Sequence, residues 1–201
     1  MGSRIMHLVI ANRIADDLSI KDKTSFLLGG IAADAVSHKN KSHFYNGDVK
    51  DYSRYIDYKE FIHKHNYNMN SHFIQGYYTH LIADDIWLKG FYLPWLKNRM
   101  EEDENVFNRY HNDFRLLNGK LLDYYDFTQQ LNEALSKHGT IIETEEVKSS
   151  DINKFIPYVI GDMNYGKDEL EQPLNVFTLE QIIGYIETSA DKGLICIKSL
   201  S

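Results

Sequence analysis

The sequence predicts an all-α fold in one domain, and three observations carry that prediction. Apolar residues recur at three- and four-residue spacing through several long stretches. Strand-like alternation is scarce, and β-branched runs such as Thr140-Ile141-Ile142 are too short to build an organising sheet. Thr178-Leu179-Glu180-Gln181 is a capping-box sequence standing directly before the last apolar-periodic stretch. The 201 residues are 43% hydrophobic, enough for one core, and no Pro/Gly/Ser-rich stretch is long enough for a linker. Residues 1–201 are therefore expected to form a single multi-helix bundle of about five to eight helices, because helix–helix packing is what buries such stripes.

In chain order, Ile5, Leu8, Val9, Ala11, Ile14 and Ala15 place a first helix over about Arg4 to Leu18, and it carries His7. Thr24 to Leu28 begin a short helix running into Gly29-Gly30, whose missing side chains permit close approach or a sharp change of direction. A loop with Asp34, His38 and His43 should follow. Tyr52, Tyr55, Ile56, Tyr58, Phe61 and Ile62 suggest a helix from Asp48 onward. The next helix should be capped by Asn70 or Ser71 and continue to about Trp87 and Leu88. A shorter helix is expected to hold Pro94 in its first turn, followed by amphipathic helices over roughly Asn105–Leu117 and Lys120–Ser136. The acidic segment from Glu143 to Asp151 reads as a mobile loop, Pro157 as the opening of a further helix, and Thr178 as the cap of the last.

The formal net charge of −7 argues against affinity gained by neutralising many phosphates of a long nucleic acid. The single cysteine, Cys196, lies in an apolar run and reads as a core residue. No window approaches a membrane span and the amino terminus lacks a long apolar leader, so a cytoplasmic protein is expected. Oligomeric state is not legible.

The segment Tyr77 to Trp87 holds the clearest chemical signal. His80 and Asp84 are four residues apart, so they project from one side of a helix, together with Phe73, Gly76, Tyr77 and Trp87. A carboxylate among aromatic groups must be paired, hydrogen-bonded or metal-bound. Read from spacing alone, a His–Asp hydrogen bond and a metal site both remain open. His7, Asp34 and His43 add imidazole and carboxylate groups of the kind zinc accepts where no cysteine set exists. Asp85 points about 100° away from Asp84 and reads as a backbone-binding or supporting group. His38, His63, His65 and His72 sit among polar residues and read as surface, as do His111 and Asp113 on an exposed helix face.

Four stretches in register resemble the zinc-dependent phospholipase C family: Met1 to His7, Phe26-Leu27-Leu28-Gly29-Gly30-Ile31-Ala32-Ala33-Asp34, Lys41-Ser42-His43-Phe44, and Gly76 to Trp87. That family is related in fold to the single-strand-specific zinc nucleases. The resemblance covers about the first half of the chain. It implies that His43, His80 and Asp84 hold one ion, that His7 and a bridging Asp84 contribute to a second, and that Asp34 orients or deprotonates the attacking water. Between about one and three Zn2+ ions are expected, with about two favoured. The family's further His-x-x-x-Glu helix has no counterpart, since His111 is followed four residues later by Arg115. The implied activity is metal-dependent hydrolysis of phosphate esters, on a small phosphate ester or a phospholipid-like substrate. The alternative is a non-catalytic helical protein with a structural or vestigial metal site that acts through a partner.

Overall fold

The computed structural model of the chain describes residues 2–200; Met1, which opens the first quoted motif, lies outside them. Helix α1 (Arg4–Asp17) starts at Ser3, whose hydroxyl accepts from the Met6 amide, and α2 (Lys23–Ala32) starts at Asp22, whose carboxylate accepts from the Ser25 amide. A 3-10 turn (Ala33–Ala35), the short α3 (Lys39–Ser42) and a hairpin of β1 (Tyr45–Asn46) with β2 (Tyr55–Ile56) lead to α4 (Tyr58–Lys64) and a second 3-10 turn (Asn66–Asn68). Then come α5 (His72–Trp87), a π-helical stretch (Leu88–Leu96), α6 (Lys97–Glu102), α7 (Glu104–Tyr125), α8 (Thr128–Leu135), α9 (Ser149–Gly161), α10 (Lys167–Glu171) and α11 (Leu179–Lys198). The all-α prediction holds, and the segments outnumber those read from periodicity.

Helix α5 is the axis of the core, packed against α2, α11 and α1. Glycine makes the α2–α5 crossing possible. A Cβ on Gly29 would lie 2.0 Å from the Phe73 carbonyl oxygen, and one on Gly76 would lie 2.0 Å from that of Phe26. The Gly29-Gly30 pair therefore serves close approach and does not turn the chain, since α2 continues to Ala32. This proximity matters to the site, because α2 carries Gly30 and leads directly to Asp34 while α5 carries His80 and Asp84.

Several expected elements differ. In place of the helix expected from Asp48 the chain forms a loop and then β2 before α4 starts at Tyr58, because Asp48 and Asp51 side chains capture the amides of Lys50 and Ser53 at 2.8 and 3.0 Å, in place of helical bonds. Pro94 sits inside the π-helical stretch instead of opening a helix. The two helices expected over residues 105–136 divide later, at Asp126, which takes a left-handed φ of 54°; Gly119 stays within α7 and makes room for Tyr165. Helix α9 begins at Ser149, well before Pro157, with the Asp151 carboxylate accepting from the Lys148 amide at 3.0 Å. The segment expected to be mobile is pinned: Glu146 is buried and meets His65 Nε2 at 3.5 Å and Lys64 Nζ at 2.5 Å.

The cap of α11 is as expected, with Thr178 and Gln181 exchanging side-chain and backbone bonds. Cys196 is half-buried beside Tyr78. Among the described residues no helix is long and apolar enough to cross a membrane.

Candidate metal centre

The five side chains singled out in the sequence converge. His80 and Asp84 come from the middle of α5, His7 from the first turns of α1, His43 from the end of α3 and Asp34 from the turn after α2. His7, His43, His80 and Asp84 are all at most 2% exposed, while Asp34 retains contact with solvent. His43 Nε2 lies 3.2 Å from Asp84 Oδ2, 3.3 Å from His80 Nε2 and 3.6 Å from Asp34 Oδ1. His80 Nε2 lies 3.6 Å from Asp84 Oδ2, and His7 Nε2 lies 3.3 Å from Asp84 Oδ1. The ligand atoms of His43, His80 and Asp84 all fall within 4.8 Å of one another, as do those of His7, Asp34 and His80.

The outer nitrogens fix the tautomers. His80 Nδ1 lies 2.8 Å from the Gly30 carbonyl oxygen and His43 Nδ1 lies 3.0 Å from that of Lys39. A carbonyl only accepts, so each Nδ1 carries the proton, and in the neutral rings each Nε2 presents a lone pair inward. With both rings neutral, two lone pairs and a carboxylate face one another, an arrangement that a cation resolves; without one, a proton on His43 Nε2 bonds the facing carboxylates. The separations of 3.2 to 3.6 Å bracket the ligand–ligand edge of about 3.4 Å that a tetrahedron with zinc bonds of about 2.0–2.1 Å requires.

Asp84 divides its oxygens between two sides. Oδ2 meets His43, His80 and the Tyr45 hydroxyl at 3.4 Å, whereas Oδ1 meets His7 and accepts from the Gly2 amide at 3.4 Å. His7 stacks on His80 with ring centroids 3.8 Å apart, and neither of its buried nitrogens has an aligned hydrogen-bond partner. An unpartnered buried imidazole beside a carboxylate fits a ligand role. The two groups share His80, and its single Nε2 lone pair can serve only one cation, so that ring completes one of them at a time.

Electrostatics follow from burial and facing charge. Burial, with His80 close by, lowers His7 to about 4. Burial works against charge on His43 as well, but hydrogen bonds to Asp34 and Asp84 outweigh it and raise its pKa. Burial likewise works against charge on Asp84 and Asp34, yet neighbouring positive charge and the hydrogen-bonding imidazoles hold both well below the ordinary carboxylate range.

Other residues are placed differently from expectation. His65 is buried against Glu146, and Asp113, expected on an exposed face, is fully buried and accepts from the amides of Asn175, Val176 and Phe177. Asp85 bonds Lys89 Nζ at 2.7 Å, as support outside the centre. His111 is exposed as expected, and His38 and His63 are also at the surface, with His72 half-buried. Sequence reasoning missed Tyr45, whose ring stacks on His43 at 5.3 Å, and Tyr185, buried with its hydroxyl beside the Gly2 position that also adjoins His7. It also missed a cleft of about 380 Å³ that opens over Gly2, Ser3 and Asp34. No local pattern signals either tyrosine, because both reach the centre through tertiary packing.

The fold and site thus define an all-α bundle with a buried histidine–carboxylate centre. No family model, curated protein or solved structure gives a significant match to the chain.

Proposed function

We propose that the protein is a metal-dependent hydrolase of phosphate esters, in keeping with its resemblance to zinc-dependent phospholipase C. The observation that carries this reading is the convergence of three imidazole Nε2 atoms on the two oxygens of one buried carboxylate, Asp84. His43, His80 and Asp84 would hold one zinc ion, and His7, Asp34 and Asp84 a second. Bound zinc supplies Lewis-acid polarisation of a phosphoryl oxygen and a water made acidic enough to attack near neutral pH.

The chain's own groups then have defined tasks. Asp34 faces the cleft and accepts a hydrogen bond from the attacking water; a carboxylate held well below its ordinary range is a weak proton acceptor, so its task is orientation. The Gly30 and Lys39 carbonyls fix the rings of His80 and His43. Tyr45 donates to Asp84 and shields it from solvent.

A second reading rests on one contact. Asp34 Oδ1 lies 3.6 Å from His43 Nε2, close enough to complete a closed four-ligand set around a single ion, as a non-catalytic protein with a structural metal would have. Metal content and turnover of a chromogenic phosphodiester separate the two. On the hydrolase reading, Asp34→Asn abolishes turnover with metal retained, and His80→Ala loses turnover and part of the metal. Full activity in Asp34→Asn removes the assigned role.

A further inference from the structure

We propose that the cleft beside the centre is a subsite for a second anionic group, so that the substrate is a phosphate ester carrying a further phosphate. The identification of that ligand as part of a substrate rests on the hydrolase reading; the phosphate site itself does not. Three cations from three separate elements line the cleft: Arg4 from α1, Lys39 from α3 and Arg115 from α7. Their convergence stands out in a chain of net charge −7. The amino-terminal end of α1, with Gly2 and Ser3, opens into the same cleft and adds the partial positive charge of its first-turn amides.

Each cation has one acidic neighbour. Arg4 Nε meets Asp162 at 2.7 Å, Lys39 Nζ meets Asp34 at 2.7 Å, and Arg115 meets Glu169. These pairs do not saturate the site, because a guanidinium carries five N–H donors in a fork suited to phosphate oxygens. All three side chains keep contact with solvent, with exposures of 34, 46 and 51%. Phe114 and Phe155 supply apolar walls, and the Arg4 guanidinium lies over the Phe155 ring at 5.4 Å. The volume, about 380 Å³, is in the range of small-molecule sites and too small for a polymer. Asp34 belongs to both the cleft and the histidine centre, so a ligand anchored by the cations lies against the residue that would orient the water.

The test uses the full chain stripped of metal with a chelator, titrated with inorganic phosphate by calorimetry at about pH 8, above the ordinary imidazole value of about 6.5. Saturable binding is expected, weakened about tenfold by Arg115→Gln and about tenfold by Arg4→Gln, as for loss of one charged hydrogen bond. Circular dichroism verifies that each variant is folded, and Arg115, half exposed, makes the second variant independent of the α1 terminus. Absence of phosphate binding, or equal affinity in the wild type and both variants, overturns the subsite. Phosphate binding with no turnover in the metal-loaded protein keeps the subsite and removes the hydrolase reading, whereas turnover without phosphate binding to the stripped protein does the reverse.

Discussion

Replacing Gly76 by alanine should destabilise the protein and loosen its centre, although the change removes glycine from the middle of a helix. In a helix interior, alanine is ordinarily better than glycine by about 1 kcal/mol. Here the new Cβ would stand 2.0 Å from the Phe26 carbonyl oxygen, 2.9 Å from its carbon and 3.0 Å from the Gly30 amide nitrogen. All three are backbone atoms, so no side chain can rotate away; α2 and α5 must separate by about 1 Å before the contact becomes tolerable. Overpacking of a rigid core costs about 1–3 kcal/mol, and a backbone clash of this depth belongs at or above the upper end. The net expectation is a loss of about 2 kcal/mol after the helix-propensity gain. Because Gly30 holds the His80 ring through its carbonyl, the same separation should weaken metal binding. Gly184 in α11 is the control, since a Cβ there meets nothing within 4 Å, and Gly184→Ala should be neutral or stabilising. Urea unfolding of both variants decides the matter. A Gly76→Ala protein as stable as Gly184→Ala would refute the reasoning about the crossing.

Three further outcomes are expected. Asp113→Ala leaves the amides of Asn175, Val176 and Phe177 without their carboxylate and should cost about 3 kcal/mol in urea unfolding, with metal content unchanged. Glu146 is held at about 2, its burial opposed by His65 and Lys64, so its contribution is present above the ordinary glutamate value and is lost as pH falls towards 2; Glu146→Gln should flatten stability over that acid range. Against burial, Asp34 and Asp84 raise His43 above its ordinary value, so in metal-stripped protein its stabilisation is present below that value and fades as pH rises through the raised one. Metal binding runs oppositely: it expels that proton, so zinc affinity by calorimetry should fall as pH drops from about 8 to about 6, and a pH-independent affinity would exclude His43 as a ligand.

What the sequence made legible was local periodicity and spacing. The helical register of α5 gives His80 and Asp84 a common face, and the cap at Thr178 holds as residue-by-residue chemistry, whereas Ser71 precedes α5 without a side-chain cap bond. Helix boundaries set by tertiary packing were not legible: Gly119 resembles a stop but accommodates Tyr165, and Pro157 resembles a start but lies inside α9. Polar residues misread as surface, His65 and Asp113, are those whose partners lie 81 and more than 60 positions away. The centre was half legible for the same reason. His80 and Asp84 follow from helix geometry, whereas Asp34 and His43 reach them through the α2–α5 crossing at Gly29 and Gly76, and His7 through the contact of α1 with Gly30, where a Cβ would lie 2.8 Å from Ala11 Cβ.

Metal quantification on protein purified without chelator or a histidine tag tests the central claim most directly. The account predicts about two zinc ions per chain in the wild type and fewer in His80→Ala, since that ring belongs to the first ligand set and stacks on His7 of the second. A wild-type protein that takes up no zinc even when it is supplied, or a His80→Ala protein that keeps the wild-type complement, would contradict it.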